Sequence, residues 1–241
     1  MYDIIVFNRS FNDFSNIAFR GNSYETLEAY ARKVETRVDK KTRVETRTII
    51  SSPDELAAAT LEGFTVTEDM LGNYSQTTYG RTAPSRSSEE TPDGLYHLHF
   101  VPKKLTREVS AVLHIEGLNN IRSATCRLGG VAESIFLATG KTSANTVTQE
   151  FTPSNPEFSP GSPFNGTLSC EFEIFGLNVI DNNNLHLDAL LVDGKTEFEG
   201  DCTNVKITEN DDGTGSVTLI LEASTEKVPD VKPEGGAGSG F

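Results

Sequence analysis

Residues 107–117 read REVSAVLHIEG, with Val109, Ala111, Leu113 and Ile115 on alternate positions. A side-chain period of two puts those four on one face of an extended strand. The same rhythm returns in IRSATCRLGG (121–130), ESIFLAT (133–139), TVTQEF (146–151), GTLSCEFEIFG (166–176), LHLDALLVDG (185–194), DCTNVKIT (201–208) and SVTLILEA (216–223). Turns rich in Gly and Asn separate them: GLNN, GG, DNNN, DGK and NDDGTG. Strands punctuated every ~8–15 residues with no helical pattern between them specify a sandwich or barrel. Thr152 to Gly166 carries four prolines, so it is expected to run as a loop or along a sheet edge.

Working back toward the amino terminus, YDIIVFN (2–8) is apolar on both faces, as in a central or covered strand, with Tyr2, Ile4 and Val6 on one side and Ile5 and Phe7 on the other. A short strand is expected near Asn16 to Arg20. Asn22 and Glu25 form a capping-box pattern before Tyr24, Leu27, Tyr30, Ala31, Val34 and Val38, which recur at helical spacing and predict a helix. RVETRTII (43–50) alternates as a strand. Ser52-Pro53-Asp54-Glu55 reads as the start of a second, two-turn helix. Residues 63–67 predict a short strand, 73–94 a long polar loop, and LYHLHFV (95–101) an alternating strand.

A chain of 241 residues suits two domains of roughly 100–120 residues. The change of rhythm at Pro102-Lys103-Lys104 places the expected boundary there: residues 1–103 as a sandwich with one or two short helices, residues 104–228 as a second sandwich, and 229–241 as a flexible tail. Hydrophobic residues are 36% of the chain and Trp is absent, which matches thin cores with many turns. The formal charge of −14 argues against nucleic acid or an anionic bilayer, whose phosphates are held by Lys and Arg. No run approaches the ~20 apolar residues that cross a membrane, and Met1 leads directly into a strand-like segment, so the expectation is either a cytosolic protein or a targeting segment that lies before Met1.

Candidate chemistry is sparse. ATGKTS (138–143) mimics the end of a phosphate loop, but that loop needs a glycine at position 135, where Ile stands; a turn is expected. His97 and His99 share a strand face without a third ligand at readable spacing, and no metal is expected. His186 and Asp188 could orient one another as base and helper, but no nucleophile is signalled beside them. Residues 209–213, ENDDG, lack the twelve-residue calcium frame and read as a hairpin turn. No catalytic constellation and no cofactor site is expected. Cys126 and Cys170 alternate with apolar residues and read as buried, whereas Cys202 in EGDCTN reads as exposed; a Cys170–Cys202 bridge depends on geometry that spacing does not supply.

YDIIVFN, FRGNSYETLEAY (19–30), SSPDELAAATLEGFTV (51–66), PKKLTREVSAVLHIEGL (102–118), ATCRLGGVAESIFLATG (124–140) and DALLVDGK (188–195), in that order, resemble the fimbrillin-like surface lipoproteins of Bacteroides-type bacteria, in particular anchor-type minor subunits. The resemblance implies two tandem Greek-key, transthyretin-like β-sandwiches. It also implies export, an outer-membrane location held by lipid on a cysteine preceding this sequence, and partners that are other fimbrial subunits joined by strand addition. On that view strands before Tyr2 are missing and Tyr2, Ile4 and Val6 mark an edge for a partner strand; alternatively the 73–94 loop covers it. A competing expectation is an adhesin that binds host or dietary glycan, with Tyr74 and Tyr79 as the only loop tyrosines to stack a sugar ring.

Overall fold

The computed structural model describes residues 1–38, 46–67, 70, 97–178, 183–211 and 217–233. The first seven strands in chain order are β1 (Tyr2–Phe7), β2 (Ile17–Arg20), β3 (Glu28–Ala31), β4 (Lys33–Val38), β5 (Thr46–Ile50), β6 (Ala57–Phe64) and β7 (Lys103–Lys104). Then come β8 (Arg107–Glu116), β9 (Ile121–Ala132), β10 (Ser134–Phe136), β11 (Thr146–Phe151), β12 (Asn155–Phe158) and β13 (Asn165–Ile174). The last four are β14 (Leu185–Leu191), β15 (Glu197–Asp201), β16 (Thr203–Asp211) and β17 (Val217–Ser224).

Two large sheets make the body of this all-β chain. One runs β15-β14-β9-β11-β5-β4 and the other β12-β13-β8-β17-β16. Alternation does the packing: Val109, Ala111, Leu113 and Ile115 of β8 and Leu168, Phe172 and Ile174 of β13 are buried on one sheet. They belong to the same core as Ala124, Cys126 and Leu128 of β9 and Leu185, Leu187 and Leu191 of β14 on the other. Phe151 of β11 stacks on Phe172 of β13 with ring centroids 4.3 Å apart. Each of the buried Val, Leu, Ile and Phe side chains contributes about 1.5–3 kcal/mol by leaving water, so the sandwich holds most of the driving force for folding. Two small sheets, β1-β6-β7 and β10-β3-β2, flank it.

Several expectations give way to this pairing. The helix expected over residues 22–38 is instead a turn followed by β3 and β4: Gly21 sits at φ +98°, and the Thr26 hydroxyl accepts the backbone N–H groups of Asn22 and Ser23. Helical propensity is a weak prior here, because β3 pairs on both sides, with β2 and β10, and buries Ala29 and Ala31. The helix expected from Pro53 is likewise absent. Leu56 is buried in extended chain, Asn8 captures the Ala57 backbone, and β6 runs through the alanines because β1 pairs with it.

The division expected at residue 103 is not where the sheets divide. β5 pairs parallel with β11, β3 pairs with β10, and β7 pairs with β6. Residues 97–101, expected as a strand, have no ladder; Leu98 is 37% exposed instead of buried. The start of the expected tail, just past buried Val228, is docked: Asp230 accepts a hydrogen bond from Asn120 Nδ2 at 3.0 Å, and Val231 packs on the core. Cys202, expected outside, is half-buried, and burial raises its thiol pKa to about 11, as it does for Cys170. All three cysteines are free thiols. The loop at 73–94, with Tyr74 and Tyr79, lies outside the described residues. No helix among the described residues is long and apolar enough to cross a membrane.

Candidate functional site

Three places carry chemistry beyond packing: the β1 edge, a basic cleft, and a polar patch on the outer face of β14 and β15. Tyr2, Ile4 and Val6 lie on β1, which among the described residues pairs only with β6. The strand is therefore an edge, not the central strand its two apolar faces suggest. Ile5 and Phe7 face the core and pack against it, Phe7 within a ring cluster with Phe11, Phe14 and Phe19. Ile4 and Val6 point the other way and are half-buried; Tyr2 is 61% exposed.

The register fixes which backbone groups are free. Asn8 N–H donates to the Ala57 carbonyl at 3.1 Å, so the hydrogen-bonded pairs running back along β1 are Val6 with Ala59 and Ile4 with Leu61. The N–H and C=O groups of Ile5 and Phe7 then face the open side. The one charge on β1, Asp3, is spent on the Gly63 amide at 2.8 Å.

Other edges are closed to a partner by their own chemistry. β15 (EFEGD), β4 (KVETRV) and β16 (TNVKITEND) carry charge at alternate or near-alternate positions. β12 has Pro156 in its middle, and β7 is two lysines. The outer side of β10 is taken by residues 141–143, through Phe136 N–H to Lys141 and Ser143 N–H to Ser134. β2 is four residues long and ends at Arg20, whose guanidinium is held up in pKa chiefly by its hydrogen bond to Glu28. Charged residues and proline are the usual protection of an exposed strand, and β1 has neither in play.

The ATGKTS turn borders a cavity of about 510 Å3 with Lys104, Arg107 and Lys141 in its lining. Lys104 pairs with Glu173 at 2.7 Å and Arg107 with Glu209 at 2.9 Å, so two of the three cations are matched. The turn itself is no phosphate cradle. Gly140 N–H donates to Phe136, Lys141 N–H to the Thr139 hydroxyl and Ser143 N–H to Ser134. A cradle must point those amides at a ligand, and here the chain consumes them.

His186 and Asp188 share the outer face of β14, with Nε2 3.2 Å from Asp188 Oδ1. The β14–β15 register sets Asp201 opposite His186 and Glu199 opposite Asp188. His186 Nδ1 lies 2.8 Å from Asp201 Oδ1. On the other flank Arg127 of β9 binds the second oxygen of Asp188 and reaches Glu150 of β11 at 3.3 Å. The pairing of His186 with Asp188 was legible from their spacing. Glu199 and Asp201 were not, because only the hairpin through Asp193-Gly194 brings them alongside. His97 and His99 are exposed and are not part of this group.

A model of a domain of unknown function, DUF5119, matches residues 1–152. The chain belongs to the DUF5119 family. The match runs through residue 103, in keeping with sheets that cross that point. None of the curated proteins compared with this DUF5119 chain matches it. Among solved structures, a Bacteroides ovatus protein provisionally described as an adhesin aligns with a TM-score of 0.51 at 16% identity. The alignment covers 83% of the present chain and 64% of that protein, so the chain spans under two thirds of its length. A second Bacteroides ovatus protein, described in the same provisional way, aligns at a TM-score of 0.34 and 9% identity over 83% and 55% of the two chains. The first similarity is one of fold.

Proposed function

We propose that this DUF5119 protein is a non-enzymatic cell-surface protein, exported to the outer membrane, that works as an adhesin-type or fimbrial accessory subunit by accepting a partner's β-strand along β1. One observation carries the reading: β1 is the apolar edge whose outward N–H and C=O groups, on Ile5 and Phe7, meet no backbone partner among the described residues, while the other edges are charged, proline-bearing or occupied. A strand added there would gain main-chain hydrogen bonds, and alternate side chains would sit against the neighbours of Ile4 and Val6. The resemblance to fimbrillin-like lipoproteins and the fold shared with a provisionally described adhesin support the same class. The test is thermal unfolding of the full chain with a tail peptide from a co-expressed surface subunit. At about 100 times Kd a ligand of the native state adds about 2.7 kcal/mol, a rise of roughly 5–10 °C for a chain this size. Ile5→Pro, which deletes an outward donor, should abolish the rise; no shift with any such tail argues against strand addition.

A glycan-binding adhesin is the second reading, favoured by one observation. The β12–β13 hairpin carries Phe158 and Phe164, the latter 58% exposed, as rings able to stack on a sugar face. Loss of glycan-array signal in Phe164→Ala, with the fold intact, would favour it over strand addition.

A further inference from the structure

We infer that the outer face of the β14–β15 hairpin is a divalent transition-metal site, with His186 Nε2, Asp188 and Glu199 as ligands and Asp201 as the group that orients the imidazole. The ligand atoms of His186, Asp188 and Glu199 lie within 4.8 Å of one another. Tetrahedral ligands at about 2.0–2.2 Å from one ion stand about 3.3–3.6 Å apart, so a movement of at most about 1.5 Å, which the exposed Glu199 side chain can supply, closes the set. Those positions are fixed by backbone: His186 and Asp188 by the period of β14, Glu199 by its place opposite Asp188.

Two further contacts distinguish this group from scattered surface charge. A metal-binding imidazole characteristically gives its second ring N–H to a carboxylate, which fixes the tautomer and turns the lone pair toward the ion. Asp201 stands at His186 Nδ1 at 2.8 Å in that role, leaving Nε2 turned toward Asp188. Asp188 is likewise braced from behind, through its second oxygen, by Arg127, itself paired with Glu150. Both half-buried ligands thus have an outer partner. Asp188 and Glu150 share the Arg127 guanidinium, and the register adds the carboxylates of Glu199 and Asp201 to the same hairpin face. One imidazole with two carboxylates suits zinc, nickel, copper or manganese better than magnesium or calcium, which prefer oxygen alone. Glu199 is exposed, so the remaining coordination positions open to water.

The same four side chains without an ion would describe His186 held between Asp188 and Asp201 by hydrogen bonds alone, and the experiment separates the two. The full chain, stripped with chelator, is titrated with zinc chloride at pH 7 by calorimetry, with thermal unfolding in parallel. One ion per chain and a raised Tm are expected. His186→Ala and Glu199→Gln should each weaken binding at least tenfold. Asp201→Asn should weaken it by about 10–100-fold, the usual cost of losing an outer partner. Glu199→Gln changes an exposed residue and keeps the measurement meaningful if His186→Ala fails to fold. The paired change His97→Ala with His99→Ala should leave binding intact. Absence of binding, affinity unchanged in Glu199→Gln, or loss of the ion with His97 and His99 would each overturn the assignment.

Discussion

The β8–β13 pair of the sandwich and the β1–β6 pair beside it are built from the same kind of residue and end in opposite situations. β8 has β13 on one side and β17 on the other, and its inward row is buried. β1 has β6 alone, and its apolar residues are half-buried on both faces. Alternation therefore says which face a residue takes, while the number of neighbouring strands says what that face is for. A row flanked on both sides holds the fold together; a row with one open flank can be completed from outside.

The largest difference should appear on truncation. Leu113→Ala, at a site with no exposure, is expected to cost about 2–5 kcal/mol in urea unfolding, because the cavity cannot collapse between two sheets. Ile4→Ala, half-buried at the edge, should cost about 1 kcal/mol. Comparable losses would mean that β1 is as enclosed as β8.

Proline separates the two sides of β1 itself. Val6→Pro removes a donor spent on β6 and leaves the Ala59 carbonyl unpaired, and it should lower stability by about 1–3 kcal/mol. Ile5→Pro removes a donor on the open side, so beyond the packing lost by a core-facing isoleucine it should cost little more than Ile5→Ala while blocking strand addition. A loss in Ile5→Pro well beyond that of Ile5→Ala, by chemical denaturation, would show that both flanks are engaged.

These contrasts also mark where the sequence could be read and where it could not. From Arg107 onward the strands were legible because Gly and Asn turns punctuate a period of two and because the partners of each strand lie within a few turns of it. In residues 20–64 local signals pointed to helices: a capping-box pattern at Asn22 and an alanine run at 57–59. β3, β5 and β6 are strands because β10, β11 and β1 pair with them, and such partners, some lying a hundred residues on, leave no mark in a local window. The site divided in the same way. Alternation puts Tyr2, Ile4 and Val6 on one face of β1 but reads that strand as central, whereas Glu199 and Asp201 join His186 only through a hairpin register that composition does not encode.

A further contrast concerns pH. Burial raises the thiols of Cys170, in the sandwich, and Cys202, at its margin, from 9.0 to about 11. Between those values the unfolded chain has lost protons that the folded chain keeps, so stability should fall as pH rises from about 9 toward 11. Urea midpoints at pH 8 and pH 10.5 should differ less in Cys170→Ala than in the parent chain; an unchanged slope would place the alkaline loss in other groups.

The open flank of β1 is tested most directly by amide hydrogen exchange, read residue by residue in the isolated chain and again with a bound partner strand. Ile5 and Phe7 are expected to exchange far faster than Ile4 and Val6 in the free protein, and to slow to a similar rate once a partner strand is bound. Slow exchange at Ile5 and Phe7 in the isolated chain would contradict the account, because it would mean that the edge is already filled.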